Sequence, residues 1–378
     1  MEIEQVSWRP GVGWGEQMPG QLGGAALVFV FGGTALMRSG DRLAELRRAY
    51  PRAVMLGCST AGEICDTQVL DDALVATAVR FEHSRVRGAA TQLAGAADSY
   101  AAGRRLAAAL EPRGLVHVFV LSEGLRINGS ELVCGLTEHL PPDVTVTGGL
   151  SADGPHFTET LVHWEGSSVP GQITAIGLYG ERLRVGYGSL GGWDSFGPDR
   201  LITRSDGNVL YELDGTSALA LYKRYLGDHA QGLPASGLLF PLSVSSDPTE
   251  ERVVRTILAI DEAAGSITFA GDVPEGAYAR LMKANFDRLI DGAIGAASAS
   301  ATVLGNQPAE LALLISCVGR KLVLKQRVEE ELEGVREVLG PQAALAGFYS
   351  YGEISPLRTS ARCALHNQTM TITTLAEA

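Results

Sequence analysis

Positive charge is the first shortage. Lys+Arg number 31 against 43 Asp+Glu, a formal net charge of −12 over 378 residues. Phosphate backbones are bound by clustered basic side chains, so nucleic acid is disfavoured as a main partner. Long apolar runs are also missing. The densest, residues 25–31, gives way to Gly32-Gly33, far short of the ~18 residues of a membrane span, so no membrane partner is expected. Cysteine is scarce. Cys58, Cys65, Cys134, Cys317 and Cys363 are odd in number and scattered, with no Cys-x-x-Cys. That usage predicts reduced thiols in a cytoplasmic protein rather than a disulfide framework. The start, Met1-Glu2-Ile3-Glu4-Gln5, has neither the basic nor the apolar stretch of a signal peptide.

Several catalytic and cofactor patterns are absent too. There is no Gly-x-x-x-x-Gly-Lys-Ser/Thr, no Gly-x-Gly-x-x-Gly after the first strand, no Cys-x-x-Cys-His, and no His/Asp/Glu group at metal-ligand spacing. Gly57-x-Ser59-x-x-Gly62 misses the Gly-x-Ser-x-Gly nucleophile elbow by one residue. Cys58 and Cys317 have no histidine near them in sequence to act as a base. The expectation is a protein that is not an enzyme.

What the chain does have is apolar content of 46% and 46 glycines, and enough length for about two domains at ~100–200 residues each. Residues 25–31 are dense in β-branched and aromatic side chains, as in a strand covered on both faces. Residues 41–48 read as an amphipathic helix that Pro51 stops, residues 53–56 as a strand, and Gly57-Cys58-Ser59-Thr60-Ala61-Gly62-Glu63-Ile64 follows. The order recurs. Strand 115–121, helix 130–136, Pro141-Pro142 and strand 144–147 lead to Gly149-Leu150-Ser151-Ala152-Asp153-Gly154. Strand 311–317, helix 325–339, Gly340-Pro341 and strand 343–346 lead to Gly347-Phe348-Tyr349-Ser350-Tyr351-Gly352-Glu353-Ile354. All three copies carry a Gly-x4-Gly frame, at 57 to 62, 149 to 154 and 347 to 352, and the first and third share Gly-Glu-Ile.

The remaining segments are read as follows. Residues 1–23 form a polar lead-in, and 172–179 with 183–190 alternate like a hairpin around Gly180-Glu181. Residues 217–225 are helical, 252–260 and 266–270 are strands, and 277–302 is a long Ala-rich helix. The predicted fold class is α/β, with two docked α/β domains built from repeated strand–helix–strand units with mixed sheets. Their bounds are 24–215 and 216–375.

With these motifs and with Gly148-Gly149-Leu150-Ser151-Ala152-Asp153, Ser316-Cys317-Val318-Gly319-Arg320 and His366-Asn367-Gln368-Thr369-Met370, the chain resembles the FIST sensory proteins. The resemblance runs from about 24 to 375, an N-terminal FIST domain followed by a C-terminal one. It implies a ligand-binding sensory protein of bacterial signal transduction. One branch of that family binds haem b, senses nitric oxide and controls a partner histidine kinase; amino acids have been proposed as ligands elsewhere in it. The chain shows no kinase or cyclase signature of its own, so any signal passes to a separate partner.

Candidate ligand-binding residues follow from the strand-end motifs, because ligands in open α/β sheets bind beyond the carboxyl ends of strands. They are Gly57, Ser59, Thr60, Gly62, Glu63, Ser151, Arg320, Tyr349, Tyr351, Gly352, Glu353 and Asn367. Arg320 can grip a carboxylate or a haem propionate bidentately; the alternative is a salt bridge with Glu353. His366 is the candidate haem-iron ligand, with Met370 on the same strand face; the alternative is a hydrogen-bonded histidine beside Asn367. His117, mid-strand, is expected in the core, and His83, His139, His156, His163 and His229 at the surface. Helix 325–339 is expected to present a solvated charged face, with kinase docking as the other reading. The working expectation is that the glycine-framed corners gather around one shared hollow. Its occupant is left open between haem with nitric oxide and an amino acid or other small organic ligand. A protein-interaction module without a ligand is the rival.

Overall fold

The structure is a computed structural model that describes residues 1–15, 17–246, 252–305, 307–356 and 363–378, and every count below refers to these. The β-rich segments assemble into three six-stranded sheets and one of eight strands. Each six-stranded sheet is built around one parallel pair, a leading strand and a second strand joined by a helical crossover. The pairs are Leu27–Gly32 with Val54–Ser59, Leu115–Ser122 with Thr145–Leu150, and Leu311–Cys317 with Ala344–Ser350. Their side chains are almost all buried, as the dense apolar runs require of strands covered on both faces.

The three sheets repeat one strand order. Beside each leading strand lies an antiparallel strand, Leu74–Arg80, Gln172–Tyr179 or Met370–Glu377. Outside that lies an edge strand, Glu2–Trp8, Arg85–Gln92 or Leu183–Leu190. On the other side each sheet is completed by a hairpin from a different copy. The first copy's hairpin, Glu63–Cys65 with Gln68–Leu70, joins the third sheet. The second copy's, Val162–Trp164 with Ser167–Val169, joins the first. The third copy's, Gly352–Pro356 with Cys363–His366, joins the second. The exchange is cyclic, so the protein has a pseudo-threefold core.

The inner faces of the three sheets share one apolar cluster that includes Phe29, Phe31, Phe119, Leu121, Leu313, Ile315 and Phe348. Phe31 and Phe348 lie with ring centroids 4.7 Å apart, and Phe29 meets Phe119 edge-on at 5.4 Å. Helices cover the outer faces. Met37, Leu43 and Leu46 pack on the first sheet. Ala102, Leu106, Leu132 and Leu136 serve the second, and Ala293, Ala297, Leu332 and Val335 the third. Inserted between Leu183–Leu190 and helix Phe286–Leu304 is the eight-stranded sheet, spanning Asp194–Asp206 to Tyr278–Lys283, with its own core around Ile202, Tyr222, Ile267 and Phe269.

The α/β class, the mixed sheets and the repeated strand–helix–strand unit stand as expected. The segments 24–215 and 216–375 do more than dock, however. Strands from both share the second and third sheets, so their main chains are hydrogen-bonded into common ladders. Several local expectations are corrected. The lead-in is not irregular throughout, since Glu2–Trp8 pairs along its whole length with Leu74–Arg80. Gln172–Tyr179 and Leu183–Leu190 are strands but not a hairpin; the turn between them carries the chain from the second sheet to the third. The long helix begins only at Phe286, where the Asn285 side chain caps it, and Tyr278–Lys283 is a strand. No helix among the described residues is long and apolar enough to cross a membrane.

Candidate functional site

The glycine frames mark where the second strands must pass closest to the leading strands. An ideal Cβ on Gly57 would fall 1.8 Å from the Val30 carbonyl oxygen, and one on Gly347 would fall 1.8 Å from that of Leu314. In the second copy the matching residue is Gly148, whose Cβ would fall 1.9 Å from the Val120 oxygen. The second frame is therefore shifted by one from the sequence assignment, which placed it at Gly149. With this register the corners interlock symmetrically. The Ala61 amide donates to the Tyr349 carbonyl at 2.9 Å, the Ala152 amide to Ser59 at 2.9 Å, and the Tyr351 amide to Leu150 at 3.3 Å. Each corner thus hangs on the next.

The three corners meet, but they do not enclose one shared hollow. The third is packed solid. Tyr349 and Tyr351 are fully buried. The Tyr349 hydroxyl donates to Glu331 at 2.6 Å, and the Tyr351 ring stacks on Phe157 at 4.6 Å while its hydroxyl bonds Asp153 and the Gly154 carbonyl. The opening lies to one side, a cleft of about 470 Å³, within the range of small-ligand sites. Thr60, Ala61, Gly62 and Glu63 line it from the first corner, and Asp153, Gly154, His156 and Thr158 from the second corner's loop. Val318, Lys321 and Leu322 come from the third copy, with Gly33, Thr34 and Arg38 at the exit of the first leading strand and Asp71 and Asp72 after the hairpin. It sits beyond the carboxyl ends of the leading strands, where α/β sheets place ligands.

Its electrostatics are mixed. Lys321 Nζ donates to the Ala61 carbonyl at 2.8 Å and pairs with Asp71. Arg38 pairs with Glu159 at the rim. Glu63 accepts from the Thr60 hydroxyl at 2.5 Å and from the Ala73 amide at 3.2 Å. Burial, the dominant cause, pushes its carboxyl up to about 8, against the opposing pull of Thr60, Ala73 and Lys321. Asp153 does not face the cleft as a free charge, because its oxygens accept from the Phe157, Thr158 and Glu159 amides and thereby shape the loop.

Among the sequence candidates, Thr60, Gly62 and Glu63 line the cleft. Gly57 is a strand-contact residue. Ser59 is buried, its hydroxyl accepting from the Leu161 amide at 2.9 Å. Ser151 is buried with no partner for its hydroxyl. The reason lies in the repeat. Thr60 bonds Glu63 and Ser350 bonds Glu353 at 2.6 Å, but the residue that takes the carboxylate's ladder position in the first sheet is Val162. Gly352 sits against Leu150 and Asn367. Glu353 is enclosed, accepting from Ser350 and from the Thr369 amide and hydroxyl, and burial raises it to about 8. Asn367 is also enclosed, donating to the Tyr351 carbonyl and accepting from the Thr256 amide.

Arg320 is corrected. It is completely buried, and its guanidinium is consumed by Glu331 at 2.8 Å and by the Gly191 and Leu289 carbonyls at 2.7 and 2.6 Å. It is turned into the interior and away from the cleft lining, and its ion-pair partner is Glu331 rather than Glu353. Glu331 lies on Val328–Leu339, so that helix buries a charge instead of solvating its whole acidic set. His366 is in the interior too. Its Nε2 lies 2.8 Å from the Ser355 carbonyl oxygen, the side chain is 2% exposed, and burial drives the imidazole down to about 4. An Nε2–H given to a carbonyl leaves the Nδ1 lone pair free, as in a metal-ligating histidine, but the ring is enclosed by protein and does not line the cleft. Met370 lies on the next strand, beyond the Asn367-Gln368 turn. His117 is in the core, held by Thr145 and Thr147. His163, expected at the surface, is buried with Nδ1 at 2.9 Å from the Ser168 hydroxyl. Cys58 and Cys317 are fully buried, and burial raises both thiols.

Sequence reasoning missed Lys321, Asp71, Asp72 and the 153–158 loop. A signal existed for Lys321, as the residue directly after Arg320 in a quoted motif, and for Asp153 and Gly154, which close the second glycine frame.

Residues 26–216 match the FIST N domain and residues 218–356 the FIST C domain. No curated protein matches the sequence. Among solved structures, the cyanuric acid hydrolase of A. caulinodans aligns over 100% of this chain and 98% of its own, at 8% identity and a TM-score of 0.37. A second cyanuric acid hydrolase, whose structure is described as evolutionary innovation by structural concatenation, covers 100% and 99% at 8% identity and a TM-score of 0.36. Likeness at that level says nothing about what this chain does.

Proposed function

The chain belongs to the FIST family, and we propose that it is a sensory protein that binds a small polar organic ligand in the 470 Å³ cleft. FIST domains are associated with sensing of small ligands in signal transduction. One observation carries the reading: the cleft is walled by all three copies and carries both an ammonium, Lys321, and carboxylates, Asp71 and Asp72. A zwitterion such as an amino acid, or a small organic acid, matches such a lining better than an extended apolar macrocycle does. Haem with nitric oxide is the less favoured occupant, because His366 is buried and does not line this cleft. The ligand acts by favouring one arrangement of the interlocked corners, and only its differential affinity for two states moves the equilibrium. The output goes to a separate partner protein, with a histidine kinase the first to test.

A thermal-shift screen with amino acids and small organic acids tests the reading. A ligand held only by the folded state raises Tm, by an amount equivalent to about 2.7 kcal/mol at a hundred times Kd. His156→Trp, at the exposed rim of the cleft, should weaken that shift. A panel with no active member, or shifts indifferent to His156→Trp, would refute it. Adding the ligand-loaded and ligand-free protein to the kinase in an autophosphorylation assay tests the partner; equal rates in both states would remove it.

A further inference from the structure

The threefold repeat provides an internal control for which cleft residue is specialised. The helices leaving the first and third leading strands begin at equivalent caps, Gly33 and Cys317. Four residues on from each cap stand Met37 and Lys321. Met37 is fully buried in an apolar cluster, the ordinary use of that position. Lys321 instead reaches across to the first copy's corner, where Gly62 makes room for it. A Cβ on Gly62 would lie 2.4 Å from the Lys321 nitrogen, and Gly62 holds φ +138°, which other residues rarely adopt.

The partners of Lys321 are unequal. The Ala61 carbonyl, at 2.8 Å, is fixed main chain. Asp71 is a side chain 71% exposed, whereas that of Lys321 is 16% exposed. An ion pair with one partner in water is weak and readily exchanged. We infer that Lys321 grips a carboxylate of the ligand and that Asp71 is an internal placeholder which the ligand displaces. This deepens the reading of the cleft as the ligand site and rests on it. The ligand group is a single carboxylate rather than a phosphate, because Asp72 borders the same space and repels a dianion more strongly than a monoanion.

The test is an amide ¹H–¹⁵N NMR titration of the full chain with acetate, and separately with inorganic phosphate, for wild type, Lys321→Met and Asp71→Asn. Methionine is the side chain the first copy uses at the matching position. Acetate should shift the Ala61 and Gly62 amides saturably. Lys321→Met should weaken that binding at least about tenfold, and Asp71→Asn should strengthen it about two- to fivefold, the scale of losing one exposed competitor. Phosphate should bind no tighter than acetate. Acetate binding unchanged in Lys321→Met, or unchanged or weakened in Asp71→Asn, overturns the assignment while the cleft survives as the site. Absence of any saturable shift at these amides, with acetate and with the amino acids of the thermal screen, removes the inference and the cleft together. Asp71 is exposed, so Asp71→Asn keeps the test decisive even if Lys321→Met fails to fold; tighter phosphate than acetate binding also refutes the carboxylate.

Discussion

Replacing Gly57 or Gly347 by alanine should be among the most destabilising single-methyl additions this protein can receive. At each site the new Cβ would sit 1.8 Å from a carbonyl oxygen of the parallel neighbour. Real Cβ contacts stay beyond 3.0 Å, so main chain must separate by at least 1.2 Å (3.0 − 1.8). A strand pair cannot open that far and keep its hydrogen bonds at their ordinary lengths. The neighbour is backbone at the centre of a sheet, so no rotamer change relieves the clash. Overpacking alone costs about 1–3 kcal/mol, and one lost ladder bond adds about 1 kcal/mol, so a loss of about 3 kcal/mol or more is expected at each position. Gly148→Ala should match them, because its Cβ would lie 1.9 Å from the Val120 oxygen and its φ of +153° adds strain. Gly149→Ala should cost less: its nearest neighbour is the Ile315 side chain at 2.8 Å, which can yield. Urea denaturation of the four variants reads this directly. A loss below about 1 kcal/mol for Gly57→Ala or Gly347→Ala, or Gly149→Ala worse than Gly148→Ala, would refute the register and the threefold correspondence built on it.

Raising pH should weaken the fold. Glu63 and Glu353 are held up to about 8 in the folded chain against 4.5 for the free group, so between those values the native state carries protons that the unfolded state has lost. Their contribution is complete below about pH 4.5 and disappears as pH climbs through 8; urea midpoints should fall from pH 6 to 9, and less steeply in Glu353→Gln. Arg320→Met should cost about 3–5 kcal/mol by stranding Glu331 in the interior, with much of that recovered in Arg320→Met/Glu331→Gln, as chemical denaturation of the single and double variants can show. His366→Ala should leave the absorption spectrum of haem-treated protein unchanged, because the imidazole is buried away from the cleft; loss of a Soret band on substitution would assign His366 to the iron and refute that expectation.

The threefold repeat was legible because its cause is local. A second strand that presses against its parallel neighbour needs glycine, and a helix that must end before the strand leaves Pro51, Pro141 and Pro341 behind. Gly148-Gly149 defeated the frame by one residue, since two adjacent glycines read alike until hydrogen-bond register separates them. The hairpin exchange could not be read at all: Glu63 pairs opposite Phe348, and Glu353 opposite Gly149, and no local pattern encodes partners nearly three hundred or two hundred residues away. The same non-locality hid the fate of Arg320. An arginine in a Gly-rich motif after a strand looks ligand-facing until Glu331 arrives from the following helix. Lys321 was overlooked beside it because one helical step decides which of two neighbouring cations meets the interior and which the cleft.

Because each third of the pseudo-threefold core lends its hairpin to another and borrows one in return, none of the three six-stranded sheets is self-sufficient. During synthesis, the first sheet waits for Val162–Trp164, and the third stays open until Met370–Glu377 emerges to lie between Leu183–Leu190 and Leu311–Cys317. Either half expressed alone would display bare ladder edges, which recruit other chains. Dissecting this molecule into its two halves should therefore yield aggregates instead of working parts, while cutting and rejoining the chain between copies, with every strand retained, is the rearrangement its architecture would tolerate.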